Sequence, residues 1–207
     1  MARLPDGAGG GRAGDPLRER AVRLVLGLEF VFGIALGALE IGVPALATSE
    51  GHPSVAGFLL AMTSVGGIAG GLIYGARAWS SPPRSRIVLM LALSTAVFAV
   101  LVPVDSLLLA GALLLALGTV LTPVLTTLIV LLDLASPTFA AEAFGWSSTS
   151  SALGSGAGAA VTGALAQEHG AGPAFALGAG ACCLALIVAA VARALLGTGT
   201  GQPASAG

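Results

Sequence analysis

Residues 28–47 read LEFVFGIALGALEIGVPALA. A helix of about 20 such residues crosses the hydrocarbon core of a bilayer. The stretch nevertheless carries two carboxylates, Glu29 and Glu40. An acidic residue at the centre of a membrane helix costs up to about 2.5–3.5 kcal/mol, while each large apolar residue returns about 0.3–0.6. Thirteen Leu, Ile, Val and Phe between 24 and 46 roughly cancel two such charges. The segment therefore inserts, with no margin for two glutamates facing lipid.

Helical periodicity places both elsewhere. Glu29, Gly33, Gly37, Glu40 and Pro44 are spaced 4, 4, 3 and 4 and form one face. The glutamates are eleven residues apart. They point within about 20° of each other but sit ~16 Å apart along the axis, too far to share a proton. Both lie on a glycine stripe that another helix or water approaches. Glu40 is expected to be the more deeply buried and to carry proton or substrate coupling. Glu29, near the start of the helix, is expected to reach water or an arginine there. A cleaved leader is the competing reading, since Arg18, Arg20 and Arg23 precede the run and Ala45-Leu46-Ala47 matches a cleavage site. The apolar run is longer than the usual 7–15 or so residues and contains two acids, which favours a retained span.

The rest of the chain agrees. Of 207 residues, 56% are hydrophobic and 9% charged, against about 25% charged in a soluble domain. The mean hydropathy is +0.95. An integral membrane protein follows. A net charge of −1 offers nucleic acid no electrostatic footprint. The two cysteines, Cys182 and Cys183, are adjacent in an apolar run and suit neither a disulfide nor a spaced metal site. No phosphate loop, HExxH or dinucleotide fingerprint occurs, so no enzyme, cofactor or metal site is expected.

Six apolar segments are predicted as helices, at roughly 22–47, 55–77, 87–104, 106–133, 143–167 and 173–196. Residues 1–21 and 197–207, rich in Gly, Pro and small residues, are expected to be disordered tails. All nine basic residues are arginines. Arg3, Arg12, Arg18, Arg20 and Arg23 precede the first segment, Arg77, Arg84 and Arg86 follow the second, and Arg193 ends the sixth. With six spans they fall on one side, which predicts a plasma-membrane protein with both termini cytoplasmic.

The segments differ in character. The first has its glutamates, and the fourth has Thr119, Thr122, Pro123, Thr126 and Thr127. These two are expected to line any pathway, with Glu40, Glu29, Thr119, Thr122 and Thr126 as substrate or coupling residues. The second and fifth carry small faces: Gly66, Gly67, Gly70, Gly71 and Gly75, then Ser147, Ser151, Ser155, Ala159 and Gly163. Gly66, Gly70, Ser151, Ser155, Gly158 and Gly163 are the packing candidates, because small faces let helices approach closely. The third and sixth are bland and expected to face lipid, so that Ala185 should tolerate leucine where Gly70 and Ser155 should not. Asp133 and Glu142 flank the loop after the fourth segment as helix-end or gate contacts. Trp79 and Trp146 are expected as interfacial anchors, and His52 and His169 as solvated loop residues. Polar, smooth and greasy segments thus recur in a three-plus-three order, as in secondary transporters.

Two stretches, GGLIYGARAWSSPPRSR (70–86) and AEAFGWSSTSSALGSGAGAAVTGALAQEHGAGPAF (141–175), resemble the second half of a major facilitator superfamily transporter. The first is similar to the family's cytoplasmic G-x-L-A-D-R-x-G-R loop, with Gly71 at its first glycine and Arg77 at its basic position. Gly75 stands where the family usually has aspartate. The second is similar to the family's eleventh helix. The resemblance covers about 22–196 and implies an all-α, six-helix half-transporter with a 3+3 inverted repeat. It implies a central cavity lined by the first and fourth helices. The second and fifth would meet a second six-helix half, from another chain or another copy. It further implies proton-coupled efflux of a small hydrophobic or neutral compound.

The rival is a non-transporting remnant or a scaffold subunit that packs through its small faces. An intramembrane serine protease is disfavoured because Leu153 precedes Gly154-Ser155-Gly156 where that motif needs glycine, and both histidines lie in loops. A water channel would need Asn-Pro-Ala half-helices, and the chain has no asparagine.

Overall fold

A computed structural model describes residues 20–136 and 139–197, without the side chains of His169 and residues 195–197. Of the predicted tails, residues 1–19 and 198–207 lie outside the described residues, as do Arg3, Arg12 and Arg18; Arg20, Ala21 and Gly197 are helical. The described residues form six helices: α1 (Arg20–Ser49), α2 (Ala56–Ala76), α3 (Pro83–Leu101), α4 (Leu107–Ala135), α5 (Ala140–His169) and α6 (Gly172–Gly197). A 3-10 turn, Pro53–Val55, leads into α2.

Local chemistry sets the boundaries. Gly51 (φ 76°) and Gly170 (φ 74°) take the left-handed conformations that end α1 and α5. Pro83 starts α3, where a missing amide costs nothing. The proline inside α1, Pro44, and the one inside α4, Pro123, leave both helices continuous. Each is followed four residues on by a threonine that donates to the proline carbonyl, Thr48 at 2.8 Å and Thr127 at 2.7 Å.

Five helices are long and apolar enough to cross a membrane; α5 is not among them. It has 30 residues, ample length. Its run of Ser, Thr and Gly from 145 to 158 makes it too polar on average, so it depends on a neighbour to cover it. The architecture is that of a multi-pass membrane helical bundle.

The helices pack in a definite pattern. α1 lies along α5 and α6, α4 lies along α2 and α3, and α3 packs on α6. Phe32, Leu114, Leu117, Leu128, Phe98 and Phe175 fill the centre and are essentially inaccessible. The expectation that α3 and α6 are peripheral holds for one face of each, with Leu89, Leu93, Leu184 and Ile187 exposed, and is corrected for the other. Met90, Leu91 and Phe98 of α3 and Cys182, Ala185 and Ala189 of α6 are buried against each other and against α1 and α4. Ala185 is 0% exposed. Lack of polarity does not distinguish the two faces, because in a membrane protein apolar side chains serve core and lipid face alike. The outer positions go to α2, which exposes Phe58, Val65, Ile68, Leu72 and Ile73, and to α5. Both cysteines are free, Cys182 buried and Cys183 half-buried.

Candidate functional site

One side of the bundle is hollowed. Two adjoining depressions of about 600 and 420 Å³ share Leu36 and Leu125 and form one open groove. Four helices line it. α2 supplies Thr63, Ser64, Gly67 and Gly71, and α4 supplies Leu121, Thr122, Leu125 and Ile129. α1 supplies Glu29, Leu36 and Glu40, and α5 supplies Ser147, Ser148, Ser151 and Ser155. Among the described residues no arginine lines it. The surface is apolar, dotted with hydroxyls and two carboxyls.

The groove exists because two helix pairs are pressed together and splayed from each other. A Cβ on Gly33 would lie 2.6 Å from the carbonyl oxygen of Ser151, and one on Gly37 would lie 2.8 Å from the amide of Ala159. From the other side, side chains on Gly154 and Gly158 would overlap the backbone at Phe30 and Ile34. The α1 and α5 backbones are thus in contact. The same holds for α2 and α4, where Gly66 meets the carbonyl of Leu115, Gly70 that of Thr119, and Gly118 that of Thr63. Thr119 is four residues before Pro123, so its carbonyl lacks the usual helical amide donor. It rests against the Gly70 backbone instead, where Cα–H···O contact offers partial compensation. The packing candidates Gly66, Gly70, Ser151, Ser155 and Gly158 therefore lie at seams within the chain. Gly163 is half-buried with open space around it.

The two glutamates exchange the burial expected of them. Glu29 is 5% exposed, while Glu40 is exposed. Distance from the helix end misjudged both, because cover depends on what packs opposite. The first half of α5 lies over Glu29, and its buried Ser147 is the carboxyl's side-chain hydrogen-bond partner. Glu29 Oε2 is buried with no partner. Glu40 emerges at the groove edge. Both carboxyls line the same hollow.

The threonines divide. Thr122 lines the groove, with Gly67 and Gly71 opposite it. The hydroxyl of Thr119 is turned back onto the Ala116 carbonyl at 2.7 Å, and that of Thr126 onto the Thr122 carbonyl at 2.9 Å. Thr127 is buried and belongs to a network that sequence inspection missed. Arg86 Nη1 donates to the Tyr74 hydroxyl at 2.9 Å, and that hydroxyl lies 2.8 Å from Thr127 Oγ1. Since the one Thr127 proton goes to Pro123, Tyr74 must donate to Thr127. The chain of bonds ties α3, α2 and α4 together. Tyr74 is the one tyrosine of the sequence, and its position between a glycine-rich helix and an arginine loop was the available signal.

The loop after α2 folds over this network. Trp79 Nε1 donates to the Tyr74 carbonyl at 2.9 Å, and the Arg77 and Arg86 guanidiniums lie 5.1 and 5.6 Å from the Trp79 ring centre. Half-buried, Trp79 packs on the core. Trp146 is 43% exposed. Arg77 is exposed and engaged with Trp79, and Gly75 is exposed with nothing near it. Asp133 and Glu142 are exposed at the end of α4 and the start of α5, and His52 is exposed between α1 and α2. Among the described residues no group of three or more His, Cys, Asp or Glu is placed to hold a metal.

No family model matches this chain, and no curated protein matches it in sequence.

Proposed function

We propose that the chain is one half of a secondary transporter of the major facilitator type, and that the groove is its half of the substrate pathway. The observation that carries this is the groove itself: a concave, open face holding two carboxyls and several hydroxyls, flanked by outward apolar surface on α2. A second six-helix unit laid over it would enclose a cavity of mixed polarity, the usual form of a small-molecule site. The helix pairings support a repeat. Exchanging α1 with α4, α2 with α5 and α3 with α6 turns the α1–α5 pair into α4–α2 and the α1–α6 pair into α4–α3, and leaves α3–α6 in place.

The lining favours a small hydrophobic, neutral or weakly cationic compound, since among the described residues it contains two acids and no arginine. Glu29 is the coupling residue: it is covered by α5, faces the groove and has a carboxyl oxygen free to take a proton. Glu40 meets the substrate or water at the groove edge. Arginine sidedness orients both termini and the 77–82 loop to the cytoplasm of a plasma membrane, and export by proton exchange follows the resemblance. Gly66, Gly70, Gly154 and Gly158 are covered by α4 and α1, so neither a scaffold partner nor a second half meets the chain through these glycines.

Proteoliposomes holding the chain, alone or with a second six-helix half, test this under an imposed pH gradient with a panel of neutral and monocationic lipophilic dyes. The wild type should move at least one dye in response to the gradient. Glu29→Gln should keep downhill dye exchange and lose the pH drive. A wild type that moves no dye in either arrangement overturns the transporter; an unchanged pH response in Glu29→Gln removes that residue from coupling.

A further inference from the structure

A second hollow lies away from the groove, at the end of the bundle where α1 and α3 begin and α4 and α6 finish. It is a cleft of about 330 Å³ between these four helices, at the small end of the range for ligand sites. Its walls are apolar, with Leu24 and Leu28 from α1, Ile87 from α3 and Leu131 from α4. Two guanidiniums edge it, Arg84 at the start of α3 and Arg193 near the end of α6. Among the described residues no carboxylate lines it.

The arginines of this end are not equivalent. Arg77 and Arg86 are engaged with Trp79 and Tyr74. Arg84 and Arg193 have no hydrogen bond, ion pair or ring contact among the described residues. Among the described residues they are two cations without a counter-charge, bordering an apolar slot where four helices end.

We propose that this cleft binds an anionic phospholipid, with the phosphodiester held between Arg84 and Arg193 and part of an acyl chain along Leu24, Leu28 and Leu131. Guanidinium suits a phosphate oxygen pair, and it sheds water more readily than an ammonium. Basic pockets between membrane helices recognise anionic head groups by this chemistry. A small soluble anion would satisfy the arginines but leave the apolar walls wet, so the cleft selects an amphiphile. By joining the ends of α1, α3, α4 and α6, the lipid would brace the bundle independently of anything bound in the groove.

The test is native mass spectrometry of the purified full chain in detergent, titrated with phosphatidylglycerol, phosphatidylcholine or inorganic phosphate. One phosphatidylglycerol should be retained per chain in preference to phosphatidylcholine, and inorganic phosphate should not displace it. The double variant Arg84→Gln/Arg193→Gln should bind phosphatidylglycerol roughly 30-fold more weakly. Leu24→Trp, which fills the slot and keeps both charges, should also lose retention. Arg77→Gln, outside the cleft, should bind as the wild type does. Equal retention of the two lipids, displacement by phosphate, or undiminished binding in the double variant overturns the proposal.

Discussion

Replacing Gly33 by alanine adds one methyl group, and the structure indicates its cost. The new Cβ would stand 2.6 Å from the Ser151 carbonyl oxygen, 3.1 Å from the Ser155 amide nitrogen and 3.2 Å from Gly154 Cα. All three are backbone atoms, so no side chain can rotate away. Ordinary contact begins near 3.4 Å, so α5 must recede by about 0.8 Å at this turn. A gap of 0.5–1 Å forfeits roughly a quarter to a half of the dispersion energy of each affected contact. Overpacking of this kind costs about 1–3 kcal/mol. For a chain of this length that lowers Tm by roughly 2–12 °C. Thermal unfolding in detergent, followed by tryptophan fluorescence, measures it. Gly27→Ala is the control, because it lies on the same helix with open space around it, and its Tm should hold or rise slightly. If Gly33→Ala melts within about 1 °C of the wild type while remaining folded, the backbone contact between α1 and α5 is refuted.

Three further outcomes are expected. Ala185→Leu should destabilise by about 1–3 kcal/mol in the same melt, since Ala185 is wholly buried, whereas Leu184→Ala on the exposed side of α6 should change little. Tyr74→Phe should cost about 1–3 kcal/mol, because it deprives Arg86 of its acceptor and Thr127 of its donor; a melt like that of the wild type would dismiss the network. In a background without Cys182 and Cys183, a cysteine replacing Gly51 should react with an impermeant reagent outside intact cells, and one replacing Pro82 should not; the reverse would invert the orientation.

The sequence showed the helices better than their neighbours. The segments read from the sequence match all six helices to within a few residues; apolar length accounts for five of them, because a backbone in lipid has no alternative to helix. The small faces of α2 and α5 were legible as well, since glycine and serine at four-residue spacing mean close approach wherever they occur. Which helix would approach was not legible, and that decided the glutamates. Glu29 is covered because Ser147 lies over it, while Glu40 is left at an open edge, a difference that no property of α1 alone encodes. Ala185 failed for the same reason, as alanine looks alike facing lipid or core. The Arg86–Tyr74–Thr127 chain joins residues 53 and 12 positions apart, and only the fold brings them together.

The seams between α1 and α5 and between α2 and α4 have a mechanical consequence. Where backbones touch turn after turn, the two helices of a pair have no slack between them and are expected to tilt together. Each pair is in effect one stiff lever, two helices wide. Anything that tilts α1 carries the serines of α5 with it, and anything that tilts α4 carries the glycines of α2. On that expectation the groove widens or narrows chiefly through the angle between the two pairs, so a tilt set where they meet is read at the rim.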